Sequence, residues 1–196
     1  VDMMIGISEY HKQDHLSRYG KIAEKMKYFD IGSNLEEYFK TVEKIPYQIM
    51  FTSVPDRGLE QLRQIVWPVI KRNIPELQLV ITSSYGLWNG GKDEGNIGHR
   101  LKWAGMPDVK FVGRIKRSEL VQLQLSSEAL VYPCVYEENF CITASEAQIA
   151  GAYPFTTRVG ALRTTNEFGF LAMDFKELND AVTEFFRKSL QERQAL

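Results

Sequence analysis

Residues 129–160 constrain the fold of this chain more than any other stretch. Ala129-Leu130-Val131-Tyr132-Pro133 is a short apolar run that reads as a buried strand ending at a proline. A polar segment, Tyr136-Glu137-Glu138-Asn139, follows. A run rich in small residues, with Ala144, Ala147 and Ala150, then reads as a helix stopped by Gly151. Tyr153-Pro154-Phe155-Thr156 is a second buried strand. Strand, loop, helix and strand in this order form a βαβ unit, because parallel strands need a crossover of about this length. Ligands of such sheets sit where strands end and helices begin. Glu138 and Glu146 bracket the loop with seven residues between them. The backbone N–H groups of Phe140, Cys141 and Ile142 fall at the expected helix start, a natural seat for a phosphate or a sugar oxygen.

The same alternation runs from Pro46 onward. Gln48–Thr52 reads as a strand, and Pro55-Asp56-Arg57-Gly58 as a turn. Leu59, Leu62, Ile65, Val66, Val69 and Ile70 keep helical spacing, with Pro68 expected to bend that helix or start a second segment. Further strands are predicted at Leu77–Thr82, Val109–Val112 and Phe170–Met173. Helices are predicted up to Ala104, from a Ser118 cap to Leu125, and over Phe175–Leu190. About six strands, each followed by a helical or loop segment, predict an α/β fold with a Rossmann-like, doubly wound parallel sheet. Residues 1–44 read as an attachment: a strand at Met3–Ile7, a helix capped by Ser8 and closed by Gly20, a strand at Lys27–Ile31 and a short helix capped by Asn34. The domain proper is residues 45–196.

Composition closes off several functions. The net charge is −1, which gives no electrostatic footprint for nucleic acid or a membrane surface. Cys134 and Cys141 are too few for a disulfide framework and lack metal-ligand company, so ordinary reduced, partly buried thiols are expected, with reactive thiols beside the loop as the alternative. His11, His15 and His99 have no Cys or acidic partner at ligand spacing, so no metal site is expected. Asn89-Gly90-Gly91-Lys92-Asp93 is not a P-loop, and no G-x-G-x-x-G occurs, which argues against a dinucleotide cofactor. No stretch reaches membrane-spanning length and no signal peptide is visible, so a cytoplasmic location is expected. The chain begins at Val1 rather than Met and is expected to be a piece of something longer.

The pattern Glu138-x7-Glu146 with Phe140 inside it, followed by Gly151, Pro154 and Gly160, resembles the donor-site signature of retaining GT-B glycosyltransferases. Within them it is most similar to glycosyltransferase family 4, whose stretch runs roughly E-G-F-G-x-x-x-x-E-A. Glu138, Phe140, Glu146 and Ala147 match, while Asn139 and Cys141 stand where the family has glycines. The resemblance implies the C-terminal, donor-binding half of a GT-B fold, with residues 1–44 the end of the N-terminal domain and the linker. It implies a nucleotide-diphosphate sugar as donor, no cofactor, and an acceptor glycan or other hydroxyl acceptor. Arg57 matches the basic residue of the family's first turn, which contacts the donor diphosphate; the family's second basic position is Thr52 here. Glu138 is then the catalytic-site acid that contacts the donor sugar, and Glu146 accepts hydrogen bonds from the ribose hydroxyls. The amides of Phe140, Cys141 and Ile142 hold the diphosphate, and the backbone at Ile115 contacts the base. Gly160 matches the family's glycine after the next strand, although its neighbours Ala161 and Thr164 depart from the pattern.

Two readings of Glu146 stand side by side, since Thr143-x-x-Glu146 also fits a capping box. With one GT-B half evident, the expectation is nucleotide binding without appreciable transfer by this chain alone. The alternatives are a non-catalytic sugar-nucleotide-binding subunit and a fragment of a GT-B sugar-nucleotide epimerase.

Overall fold

The structure is a computed structural model and describes residues 3–86 and 94–195. The Asn89–Asp93 run lies outside the described residues. The first strand, β1 (Met4–Gly6), pairs in parallel with β2 (Met26–Tyr28). Between them lies α1 (Glu9–Tyr19), whose first turn is capped by the Ser8 side chain accepting from the His11 amide at 3.0 Å. Two 3₁₀ turns, Gly20–Lys25 and Leu35–Tyr38, complete this segment. Two three-residue strands are too little to stand alone. The Ser8 hydroxyl donates to the Asn139 carbonyl, tying the segment to the rest. Lys44 donates to the carbonyls of Ser127 and Ala150 at 2.8 and 2.9 Å, so its ammonium closes the C-terminal ends of two helices.

The main sheet consists of β3 (Gln48–Thr52), β4 (Gln78–Thr82), β5 (Val109–Phe111), β6 (Ala129–Tyr132), β7 (Tyr153–Thr157) and β8 (Phe170–Ala172). All pairings are parallel, in the order β5-β4-β3-β6-β7-β8. Every residue of β3 and β6 is buried, as expected of central strands covered on both faces. The chain builds outward from β3 to β5, then returns to build outward from β6 to β8. The order therefore reverses between β3 and β6, and the crevice at their carboxyl ends is the predicted ligand position of such a sheet.

After β3 come α2 (Leu59–Gln61), a π-helical turn (Leu62–Val66) and α3 (Trp67–Asn73). Pro68 is the second residue of α3; it has no N–H to continue the ladder, and the wider turn before it starts a new segment. Next are α4 (Glu94–Trp103) and α5 (Arg117–Ser126), then α6 (Ile142–Ile149), α7 (Leu162–Thr165), α8 (Phe175–Arg187) and α9 (Leu190–Gln194). Helix α8 packs on α3, β7 and β8, whereas α5 and α6 pack on each other and on β3, β6 and β7.

Several boundaries differ from expectation: the strand expected at Lys27–Ile31 is Met26–Tyr28, and Asn34 makes no side-chain cap to the 3₁₀ turn after it. Ser118 is not a cap: α5 starts at Arg117, and the Glu119 carboxylate accepts from the Lys116 amide at 2.8 Å. The predicted last helix is two, because the chain becomes extended at Lys188 and Ser189 caps α9. Helix α9 is held by Arg193, which makes a two-pronged contact with Glu128 at the foot of β6, at 3.1 and 3.3 Å.

Candidate functional site

A cavity of about 620 Å³ opens at the reversal in strand order. Thr52, Ser53, Val54 and Arg57 line it from the end of β3, and Thr82 from the end of β4. Gly113, Arg114 and Ile115 enter from the loop after β5. Tyr132, Tyr136 and Glu138–Thr143 form its floor and far wall. Ile7 and Ile31 of the N-terminal segment also line it, so that segment is part of the site.

The sequence places Arg57 in a 3₁₀ turn, Pro55–Arg57, where a proline at the first position has no amide to leave unsatisfied. Gly58 follows at φ +104, and a Cβ there would stand 2.4 Å from the Pro133 carbonyl oxygen. Only glycine lets the loops after β3 and β6 approach this closely. Arg57 Nε pairs with Glu138 Oε1 at 3.0 Å, and the guanidinium lies 3.5 Å from the Tyr136 ring centre. Its two Nη groups have no partner among the described residues. Glu138 Oε1 also accepts from the Tyr132 hydroxyl at 2.6 Å, and Ser53 Oγ lies 3.3 Å from that hydroxyl. Burial, and after it the neighbouring Cys141 and Glu138, push the Tyr132 phenol well above its ordinary range, so it remains a donor.

Helix α6 begins at Ile142 with its N-terminus on the cavity. Cys141 precedes it in the left-handed region, φ 74 and ψ 72. That conformation is normal for glycine and sparse for any residue with a Cβ, and it falls where the resembled pattern has glycine. The amides of Phe140, Cys141 and Ile142 have no intrahelical acceptor at this end. Thr143 donates from its hydroxyl to the Thr52 carbonyl at 2.5 Å, stapling α6 to β3 across the reversal. Both cysteines are free and buried. Burial pushes the Cys134 thiol up to about 11 and raises Cys141 further.

Glu146 and Gly160 do not line the cavity. The capping-box reading of Glu146 is overturned, because the helix starts at Ile142 and Thr143 is already inside it. Glu146 is 6% exposed and lies one turn beyond Ile142 on the same face of α6. Its carboxylate meets Arg117 Nη1 at 2.7 Å and accepts from the Gln124 amide at 3.0 Å. Gly160 lies behind the loop that carries Glu138, and a Cβ there would be 2.6 Å from the Glu138 backbone nitrogen and oxygen. Tyr132, Tyr136 and Arg117 escaped the sequence reading. Nothing in their spacing marks them: Tyr132 and Tyr136 come from the end of β6 and the loop after it, and Arg117 is the first residue of α5. Among the described residues no group of three or more His, Cys, Asp or Glu side chains is placed to hold a metal ion, and no helix is long and apolar enough to cross a membrane.

The fold is similar to that of Anabaena Alr3699/HepE in complex with UDP and glucose, at 17% identity and a TM-score of 0.73, over 100% of this chain and 56% of that one. It is also similar to the pneumococcal O-GlcNAc transferase GtfA in complex with UDP and GlcNAc, at 16% identity and a TM-score of 0.69, over 100% of this chain and 40% of that one. Starch Synthase IV from Arabidopsis thaliana bound to ADP and acarbose shares 13% identity and a TM-score of 0.67, over 99% of this chain and 50% of that one. The chain thus spans about half the length of these proteins, and what it shares with them is the α/β architecture of the C-terminal domain of GT-B glycosyltransferases. No curated protein sequence matches it. The family described as Glycosyl transferases group 1 matches residues 54–195, from the turn that carries Arg57 to the end of α9, and the chain belongs to that family.

Proposed function

We propose that the chain is the donor-binding half of a retaining hexosyltransferase of family 4 type, with residues 1–44 as the end of the N-terminal domain and the linker. The observation that carries this reading is the convergence of Arg57, Glu138 and the start of α6 on one cavity at the reversal in strand order. The donor is a nucleotide-diphosphate sugar. As the bond from the anomeric carbon to the diphosphate oxygen breaks, negative charge grows on the departing nucleoside diphosphate. The Nη groups of Arg57 and the amides of Phe140 to Ile142 offset that charge, in a site whose dipoles are already oriented. Glu138 contacts the donor sugar, the backbone at Ile115 the base, and Glu146 the ribose hydroxyls. Structural neighbours in complex with UDP or bound to ADP support a nucleoside diphosphate as the ligand class. The acceptor belongs to a further domain, so the chain alone binds donor and does not transfer.

Calorimetry with UDP, ADP, GDP and their glucose or N-acetylglucosamine conjugates tests this. Saturable binding of at least one diphosphate, with no transfer to added hydroxyl acceptors, is expected. Absence of binding to all of them would sink the donor-site reading, and robust transfer by the chain alone would sink the half-enzyme reading.

A further inference from the structure

The ribose contact assigned to Glu146 raises the question of what fixes its carboxylate. Two helices meet there. On α5, Leu120 lines the cavity, and Arg117 and Gln124 stand three residues before and four after it on the same face. On α6, Ile142 lines the cavity and Glu146 is one turn further on. The carboxylate is thus borne one helical turn from a cavity-lining residue and is gripped from α5: Oε1 by Arg117 at 2.7 Å, Oε2 by Gln124 at 3.0 Å. Each of these oxygens keeps a second lone pair. The grip is itself held by the N-terminal segment. Tyr38 donates its hydroxyl to Gln124 Oε1 at 2.7 Å and accepts from Arg117 Nη2 at 3.1 Å, while Glu37 meets Arg117 Nε at 2.8 Å. Gln124 is fully buried and Tyr38 nearly so, and no buried side-chain polar atom in this chain of contacts lacks a partner.

We infer that Arg117, Gln124 and Tyr38 are positioning residues that hold Glu146 for the ribose hydroxyls, so that the 35–38 turn controls ribose recognition from outside the cavity. This rests on the proposed ribose role of Glu146. A fully connected polar network of this kind fixes one arrangement of its members, because any rearrangement leaves a buried donor or acceptor unmet. Glu37 and Tyr38 belong to the segment before the domain, so a movement of the 35–38 turn would be transmitted to Glu146.

The test compares the tightest-binding of UDP, ADP and GDP with its 2′-deoxy counterpart. The full chain is measured by calorimetry as wild type, Arg117→Met and Tyr38→Phe. The wild type should favour the ribo form by roughly tenfold or more, the scale of a hydrogen bond to a charged acceptor. Arg117→Met should bring that ratio close to one while binding the 2′-deoxy ligand as the wild type does. Tyr38→Phe keeps the ring and removes only the hydroxyl, and should lower the ratio several-fold. It also decides the matter if Arg117→Met binds neither ligand. A ratio unchanged in Tyr38→Phe, or equal losses for both ligands, would overturn the positioning role. A wild type that binds both ligands equally would instead remove the ribose contact of Glu146 itself.

Discussion

Arg57 Nε lies 3.0 Å from a carboxylate oxygen of Glu138, and the same oxygen accepts a 2.6 Å hydrogen bond from Tyr132. The pair joins the loop after β3 to the loop after β6, the two connections on either side of the reversal in strand order. Glu138 and the Tyr136 ring orient the guanidinium before any ligand arrives, leaving the Nη groups for a second anion.

Arg57→Ala should weaken nucleoside diphosphate binding by roughly 1.5–3 kcal/mol, the scale for hydrogen bonds to a charged group, and barely affect the bare nucleoside. Glu138 keeps its Tyr132 partner in the variant, so the loop stays in place. Calorimetry on both ligands checks this, and equal losses would place Arg57 away from the diphosphate.

For Glu146 the structure replaces a local role with a long-range one. Glu146→Ala removes the acceptor of the fully buried Gln124 amide and one of the two carboxylates on Arg117. An orphaned buried donor costs about 1–3 kcal/mol, and Arg117, partly exposed and still paired with Glu37, adds little to that. Urea unfolding should show a loss of that size in Glu146→Ala and a smaller one in Glu146→Gln, which can still accept. An alanine variant as stable as the wild type would show that the network carries no stability.

The strands were legible because β3 and β6 are buried throughout, and β4 and β7 over most of their length, so their centres appear as short apolar runs. The Ser8 cap and the Gly20 stop were legible because their chemistry is local. The start of α6 was legible too, since the helix begins at Ile142 where the small-residue run predicts it; the left-handed conformation of Cys141 before it was not, because its side chain does not advertise it. Thr143 and Glu146 fit a cap only by their spacing, as both lie inside the helix. Arg57 and Glu138 were both singled out, but their pairing depends on β3 and β6 being neighbours, which only the strand order supplies. The strands β1 and β2 were both expected, but their parallel pairing was hidden for the same reason, since only the fold brings them side by side.

Arg193 and Glu128 are the most deeply buried ion pair among the described residues, with side chains 2% and 3% exposed. Arg193 also donates to the Lys188 carbonyl at 2.6 Å, and Glu128 accepts from the Tyr47 amide at 2.6 Å. Arg193→Met leaves the carboxylate buried without its cation, which should cost about 3–5 kcal/mol in urea unfolding. A loss under about 1 kcal/mol, the surface-pair scale, would mean that α9 is not docked as described.

Burial raises both thiols, with Cys134 near 11 and Cys141 higher. At pH 8 the native chain should react with an aromatic disulfide reagent far more slowly than the urea-unfolded chain, since the thiolate is the nucleophile. Because the folded values lie above the ordinary 9, the stability these groups contribute is fully present below about pH 9 and is lost as pH rises toward 11. Fast native labelling at pH 8 would contradict the buried placement.

Gly160 and Gly58 hold the Glu138 loop from two sides. A Cβ at Gly160 would stand 2.6 Å from the Glu138 backbone, and one at Gly58 2.4 Å from Pro133. The Ala161 amide donates to the Glu138 carbonyl at 2.8 Å, so the contact is a hydrogen-bonded seat as well as a close approach. Gly160→Ala therefore has two costs: the positive φ of +54, on the order of 1–3 kcal/mol, and displacement of the loop. Gly20 separates them, because it also has φ +54 but has nothing within 4 Å of its would-be Cβ. Gly20→Ala should lose only the conformational part and bind nucleotide sugars as the wild type does. Gly160→Ala should lose more stability, and should weaken binding of a nucleotide sugar more than that of the diphosphate alone, because Glu138 moves away from the sugar. Thermal unfolding and calorimetry on the two variants read both effects. If Gly160→Ala were no worse than Gly20→Ala in either measurement, the glycine would be a turn residue and nothing more, and Glu138 would not depend on it for its position.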